Sequence, residues 1–232
     1  MRGDQLSLAV HLPQPCDLES FVAAHDLQAI AQLRANESAY LHGPAGVGKT
    51  HLLLAACRLH GGRYLPLSSL LGEPAEVLAG LAIDQPLAVD ELEGAPEQPE
   101  FWMALLRMLD QRGFGNGVTW VASRNAPDAL HRLPADLRTR LARLPRFHVP
   151  ALDELQQFQL LIEGAERRGL ALPDDVTRWW LRHLPRDAGS LLAGLERIDR
   201  AALKARRRLT LPFVQAVLMP PAAGPQDAPQ DD

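Results

Sequence analysis

Hydrophobic positions in the first 150 residues follow two alternating patterns. Short apolar runs alternate with longer stretches in which apolar residues recur at helical spacing, and glycine, proline and asparagine separate the two. This alternation predicts a parallel β-sheet covered by helices. The predicted strands lie near 39–42, 62–67, 86–90, 118–122 and 146–149. The predicted helices lie near 49–60, 74–82, 98–112 and 135–144, with a turn at the glycine-rich run 113–117.

The pattern changes after residue 150, where the strand signal ends. Four helical stretches follow at about 152–169, 173–184, 187–206 and 211–218, so we expect a small all-α lid domain over 151–219. Residues 220–232 are rich in Pro, Ala, Gln and Asp without periodicity, which predicts a disordered tail. The expected organisation is an N-terminal peptide at 1–15, an α/β domain at 16–150, the lid and the tail.

Composition limits the possible surroundings and partners of the chain. Its 232 residues are 47% hydrophobic, which suits one main core and a smaller second one. A net charge of -4 gives no overall basic field for tight DNA binding, so contact with DNA should be local or indirect. The two cysteines lack CxxC spacing, and the N-terminus shows no leader or long apolar run. We therefore expect a reduced, cytoplasmic protein without a membrane partner.

One glycine-rich segment carries a specific chemical signature. It follows an apolar strand, precedes a helix and fits the pattern G-x-x-x-x-G-K-[ST], with Gly43, Pro44, Ala45, Gly46, Val47, Gly48, Lys49 and Thr50. The backbone amides of such a loop point at phosphate groups, the lysine reaches the β- and γ-phosphates, and the threonine hydroxyl binds Mg²⁺. Lys49 is one of two lysines in the chain. The segment predicts a site for ADP or ATP with Mg²⁺.

Two further apolar strands end in polar residues. Asp90 and Glu91 close the strand near 86–90, where Asp90 would hold Mg²⁺ through water and Glu91 would orient or deprotonate an attacking water. Ser123 closes the strand near 118–122 and is the candidate sensor of the γ-phosphate, with Asn125 as the second choice. Ordinary capping of the strand end is a strong alternative for Ser123.

Three arginines lie within the predicted helix near 135–144. Leucines 137, 141 and 144 form an apolar stripe, so some of the arginines Arg138, Arg140 and Arg143 must face outward. An outward guanidinium can stabilise the charge on a neighbouring subunit's transferring phosphoryl group, which is the role of an arginine finger. Solvated arginines on a helix surface explain the pattern equally well.

The N-terminal stretch contains a short apolar segment ahead of two prolines. Its residues are Gln5, Leu6, Ser7, Leu8, Ala9 and Val10. Such a segment can dock in an apolar groove of a partner, with leucines as anchors and the glutamine amide fixing the register. A strand at the edge of the α/β domain fits the same spacing.

These segments together resemble the Hda family of DnaA-related AAA+ proteins. The resemblance runs from Gln5 to Leu218 and rests on QLSLAV, the P-loop, the acidic strand end, DLRTRL and the closing run LERIDRAALKARRRLTLPFVQAVL. It implies an AAA+ three-layer sandwich with a five-stranded sheet, a clamp-binding peptide and Arg140 as the finger. It also implies three partners: the β sliding clamp of DNA polymerase, the initiator DnaA, and DNA met through the clamp, since no DNA-binding domain follows the lid. Whether the chain forms a homo-oligomer is left open.

The sequence departs from the family's pattern in two places. The family can carry a degraded P-loop or an Asp-Asp strand end, whereas an intact P-loop and Asp90-Glu91 here leave room for intrinsic ATPase activity. Gly189 stands where the family has a lid sensor arginine, with Arg186 one turn earlier. A free-standing ATPase such as a helicase loader is therefore the alternative to an activator of DnaA. A non-catalytic adaptor that binds nucleotide for stability is a third reading.

Overall fold

Five parallel strands form one sheet. They lie in the order β2-β3-β4-β1-β5, and every neighbouring pair is parallel. The strands are β1 (Ala39–His42), β2 (Arg63–Pro66), β3 (Leu87–Asp90), β4 (Thr119–Ser123) and β5 (Arg146–His148). Because the strands are parallel, their carboxyl ends meet at one edge of the sheet, where ligands bind in open α/β sheets.

The computed structural model describes residues 17–19, 21, 28–81, 84–205 and 208–219, and for 113–116 it describes the backbone alone. These residues form two units. The first contains the described residues up to Pro44 and those from Gly48 to Pro150. The second contains Ala45–Val47 and the described residues from Ala151 onward.

Eight α-helices are found in the described part of the chain. They are α1 (Gln28–Arg34), α2 (Lys49–His60), α3 (Pro99–Asn116), α4 (Ala135–Ala142), α5 (Glu154–Glu166), α6 (Asp174–His183), α7 (Ala188–Ala205) and α8 (Leu211–Leu218). Short 3₁₀ helices lie at Leu67–Leu70, Ala75–Gly80, Leu92–Gly94 and Pro127–Ala129. None of these described helices is long and apolar enough to cross a membrane. The predicted α/β fold with a five-stranded parallel sheet and a helical region after it is confirmed.

Alternate residues of each strand face opposite sides of the sheet. On one side Val89 and Val121 join the main hydrophobic cluster with residues such as Leu105 of α3. On the other side the Trp120 ring lies 5.9 Å from the ring of His60, at the end of α2. Both faces of the sheet are therefore covered by helices, as the continuous apolar runs of the strands require.

One predicted turn is wrong. The glycine-rich run 113–117 predicts a break after the helix before it. Instead, Asn116 is the last residue of α3, and Gly117 is its C-cap. Leu105 and Leu109 anchor the preceding turns of α3 in the hydrophobic cluster. Packing of those turns outweighs the local cost of glycine in a helix, which is about 1 kcal/mol per residue.

The second unit contains the four helices α5 to α8. A capping box starts α5: the Asp153 carboxylate accepts the Gln156 amide at 2.8 Å, and the Gln156 side-chain oxygen accepts the Asp153 amide at 3.0 Å. The fully buried Trp180 of α6 packs against Gly194 of α7, where an added Cβ would overlap ring carbon Cζ2. A glycine at 194 therefore allows α6 and α7 to approach closely.

We expect Gly194→Ala to destabilise the helical unit by about 1–3 kcal/mol, because the rigid buried indole cannot move away from the added methyl group. Alanine would otherwise favour a helix by about 1 kcal/mol, so the steric effect should reverse the usual sign. Urea unfolding followed by circular dichroism measures the change. Gly80→Ala is the matched control, since an added Cβ there meets nothing within 4 Å. Equal stability of both variants would contradict the close approach.

Candidate nucleotide-binding site

The phosphate-binding loop joins β1 to α2. An added Cβ at Gly43 would overlap the carbonyl oxygen of Val149, so only glycine fits where the loop leaves the sheet. Gly48 immediately precedes α2 with φ 98°, a left-handed conformation that favours glycine. No side chain caps this end of α2. The amides of its first turn are therefore available to an anion, as the sequence pattern requires.

Lys49 begins α2 and turns back across the loop. Its ammonium group donates hydrogen bonds to the carbonyl oxygens of Gly43 and Pro44, both at 2.7 Å, and the side chain is buried. Burial lowers the pKa of Lys49, and the carboxylates of Asp90 and Glu93 oppose the shift. The positive charge thus lies inside the loop, in a position suited to bind phosphate.

Asp90 is the acceptor at the centre of the site. Its carboxylate accepts Thr50 Oγ1 at 2.6 Å and the Tyr64 hydroxyl at 2.9 Å on Oδ2, and the Glu91 amide at 2.8 Å on Oδ1. The side chain is buried, and burial raises its pKa while these hydrogen bonds lower it. Burial and the neighbouring Asp90 raise the pKa of Tyr64, so the phenol remains a donor.

The donor set at Thr50 and Asp90 fits Mg²⁺. The ion prefers oxygen ligands, keeps several waters and is held in nucleotide sites by one or two protein oxygens together with phosphates. A threonine hydroxyl that donates to Asp90 still has lone pairs for a metal. The structure therefore brings the two predicted metal residues together in a suitable arrangement.

Glu91 lies next to Asp90 but points elsewhere. Its φ of 59° is left-handed, which is uncommon for a residue other than glycine. Its carboxylate accepts the hydroxyl of Ser68, and the residue is exposed. The predicted role of Glu91 in activating water would require the Ser68 contact to be exchanged for a water molecule.

Ser123 is buried at the end of β4, beside a third acidic residue. Its hydroxyl donates to Glu93 Oε1 at 2.7 Å, and the Arg124 amide donates to the same oxygen. The Asn125 amide donates to Ser123 Oγ at 3.2 Å. The candidate sensor hydroxyl is thus bonded to a carboxylate, and Asn125 contributes backbone support to it.

Two polar residues of the site were missed by sequence reasoning. Tyr64 bonds to Asp90, and Glu93 bonds to Ser123. Glu93 could have been noticed as the third acid within four residues after an apolar strand. Tyr64 carries no such signal, because its partner lies 26 positions away and only the pairing of β2 with β3 brings them together.

Arg140 lies in the last turn of α4, the helix that buries Leu137 and Leu141. It forms an ion pair with Asp110 of α3, with Nη2 and Oδ1 2.8 Å apart. The Arg140 side chain is 21% exposed and that of Asp110 is 55% exposed. The predicted finger is therefore partly covered and held by a carboxylate of its own chain.

Comparisons with known proteins agree with this description. Residues 153–218 match the family model described as Hda, lid domain. A protein of Haemophilus influenzae that carries no functional description is 29% identical over 226 residues, which cover 92% of this chain and 98% of that protein.

The solved structures similar to this chain include initiators and a RuvB protein. Domain III of DnaA from Thermotoga maritima has a TM-score of 0.72 at 16% identity and covers 88% of this chain and 96% of its own. The chain thus resembles the Hda lid over residues 153–218 and shares its fold with domain III of DnaA. AMPPCP-bound DnaA from Aquifex aeolicus has a TM-score of 0.59 at 18% identity, and the match covers 84% of this chain and 71% of that one. A single-residue variant of RuvB from Thermotoga maritima has a TM-score of 0.65 at 14% identity, and the match covers 88% of this chain and 71% of that one.

Two residues singled out in the sequence lie around the start of α7. Gly189, for which the sequence comparison predicted the loss of a sensor side chain, lies in the first turn of α7. Arg186, one turn earlier, forms a salt bridge with Glu154 of α5 at 3.5 Å. Gly189, Arg186 and Glu154 all belong to the helical unit.

Two predicted segments of the chain lie outside the described residues. They are the apolar peptide from Gln5 to Val10 and the tail at 220–232. Their predicted roles stay predictions from the sequence.

We expect Lys49→Ala to abolish binding of ADP, because backbone amides alone cannot replace the ammonium charge inside the loop. Equilibrium dialysis with labelled ADP measures the effect. Lys204→Ala is the matched control, since it removes the other lysine from an exposed position on α7. Unchanged ADP affinity in a folded Lys49→Ala protein would falsify the assignment of the loop.

Proposed function

We propose that this protein is an Hda-like negative regulator of the initiation of DNA replication. It binds ADP or ATP with Mg²⁺, docks on the DNA-loaded sliding clamp, and stimulates ATP hydrolysis by DnaA. The observation that carries the proposal is the match of residues 153–218 to the Hda lid. The same chain supplies a complete P-loop and a partly exposed arginine, Arg140, on α4.

The nucleotide part of the proposal is supported by the contacts at the carboxyl edge of the sheet. The uncapped first turn of α2 and the buried Lys49 favour a phosphate group. The hydrogen bond between Thr50 and Asp90 favours Mg²⁺ beside it. Gly43 to Thr50 would bind the nucleotide, with Ser123 near its terminal phosphate.

The activating part of the proposal rests on Arg140. An arginine finger acts on a nucleotide bound to another protein, so it must stand on a rigid element near the surface. Arg140 stands on α4, which Leu137 and Leu141 fix in the core, and its side chain is 21% exposed. The ion pair with Asp110 is partly exposed, and such pairs contribute only ~0–1 kcal/mol. A phosphate group could therefore displace Asp110.

The clamp part of the proposal rests on the peptide from Gln5 to Val10. Its apolar residues and leading glutamine suit an extended segment in an apolar groove. Because the net charge is -4, DNA would be met through the clamp rather than through a general basic surface.

A free-standing ATPase, such as a helicase loader, is the second candidate. The observation in its favour is the intact set of Lys49, Thr50, Asp90 and Glu91. This set could support hydrolysis without a partner. The contact of Glu91 with Ser68 would first have to be released.

We expect the triple replacement of Gln5, Leu6 and Leu8 by alanine to remove clamp binding, because these side chains are the proposed anchors. Gel filtration with the clamp measures the association. ADP affinity should be unchanged and serves as the internal control. If the triple variant still elutes with the clamp, the peptide is not the docking segment.

We expect Arg140→Ala to lose the ability to accelerate ATP hydrolysis by DnaA, by as much as ~10³–10⁵-fold if Arg140 meets the transition state. The measurement is conversion of DnaA-bound ATP to ADP in the presence of DNA-loaded clamp. The variant should keep its own nucleotide, its clamp binding and its stability. Arg140→Lys should rescue poorly, because an ammonium group lacks the planar fork.

Arg143→Ala is the matched control for Arg140→Ala, since Arg143 follows α4 directly and is exposed. It should activate as well as the unmodified protein. Near-normal activation by Arg140→Ala would rule out Arg140 as the finger. If the isolated protein instead hydrolyses ATP steadily by itself, and clamp, DNA and DnaA leave that rate unchanged, the result favours the free-standing ATPase.

A further inference from the structure

Tyr64 lies on the strand next to the one that ends in Asp90. In the pairing of β2 with β3, Tyr64 stands opposite Ala88 and Pro66 opposite Asp90. Side chains two positions apart share a face of a strand, so Tyr64 and Asp90 lie on the same face of the sheet. The Tyr64 hydroxyl reaches Asp90 Oδ2 at 2.9 Å.

The acceptor positions of Asp90 are nearly all occupied. An ionised carboxylate offers about four such positions, two on each oxygen. Oδ2 accepts both Thr50 and Tyr64, and Oδ1 accepts the Glu91 amide. About one position is left, and it lies on Oδ1. Without Tyr64, one position on Oδ2 would also be open, and two hydrogen bonds instead of three would hold the carboxylate.

We propose that Tyr64 is a positioning residue for magnesium: its hydroxyl fixes the Asp90 carboxylate so that the remaining acceptor position serves the hydration shell of the ion. Groups that hydrogen-bond to metal-binding carboxylates control their orientation, and their loss commonly weakens metal binding by about 10–100-fold. The proposal rests on the nucleotide-binding part of the proposed function.

A purely structural role for Tyr64 makes a different prediction. If its hydroxyl only satisfied a buried carboxylate, its removal would lower the stability of the fold. It would not change how ADP binding depends on the concentration of Mg²⁺. The dependence on Mg²⁺ therefore separates the two roles.

The test is Tyr64→Phe, which removes the hydroxyl and keeps the ring. ADP affinity is measured by isothermal titration calorimetry in EDTA and over a series of Mg²⁺ concentrations. We expect the affinity in EDTA to be unchanged. The Mg²⁺ concentration that gives half of the metal-dependent increase in ADP affinity should rise by about 10–100-fold. If Tyr64→Phe does not fold, Tyr64→Leu takes its place.

Tyr40→Phe is the matched control. It removes a hydroxyl that donates to the Asn125 carbonyl at 3.0 Å, whereas the donors to Asp90 are Thr50, Tyr64 and Glu91. Its Mg²⁺ midpoint should equal that of the unmodified protein. An unchanged midpoint in Tyr64→Phe, or an equal shift in Tyr40→Phe, would overturn the role of Tyr64. Failure of Mg²⁺ to strengthen ADP binding by the unmodified protein would overturn the magnesium part of the proposed function instead.

Discussion

The parallel pairing of β3, β4 and β1 is the constraint on which the candidate site depends. These strands are neighbours in the sheet, and each ends at the same edge. The loop after β1 supplies Lys49, the end of β3 supplies Asp90, and the end of β4 supplies Ser123. Residues more than 70 positions apart therefore share one site without any long side chain having to reach across the protein. An antiparallel neighbour would have placed one of these ends at the opposite edge.

Much of the fold could be predicted because its determinants are local. Short apolar runs bounded by turns gave β1 at its observed limits, and the P-loop pattern gave the start of α2 at Lys49. The glycine-rich run before Gly117 was misread because its propensity is also local, whereas the packing of Leu105 and Leu109 that carries α3 through it is not. Periodicity records which faces are buried. It does not record how much burial stabilises a helix against its own glycines.

The contacts inside the site could be predicted only in part, for a related reason. Bonding of Thr50 to Asp90 follows from two motifs whose relation is fixed by the sheet. The bonds of Tyr64 and Glu93 depend on strand register and on a single 3₁₀ turn after β3. The left-handed backbone of Glu91 determines where its carboxylate points. The residue types around Glu91 do not predict that backbone conformation. Residue identity thus indicated which chemistry is present, while backbone geometry decides which groups are already engaged.

The ion pair of Arg140 with Asp110 joins α4 to α3. A free guanidinium would have to shed water before meeting a phosphate, whereas a paired one exchanges a carboxylate for the new anion. The number of ion pairs stays the same in such an exchange. Under the proposed function, the charge of the partner's nucleotide relative to a single carboxylate would therefore determine whether the guanidinium leaves α3. Only an anion that attracts Arg140 more strongly than Asp110 does would then displace Asp110, and a weakly charged surface would not.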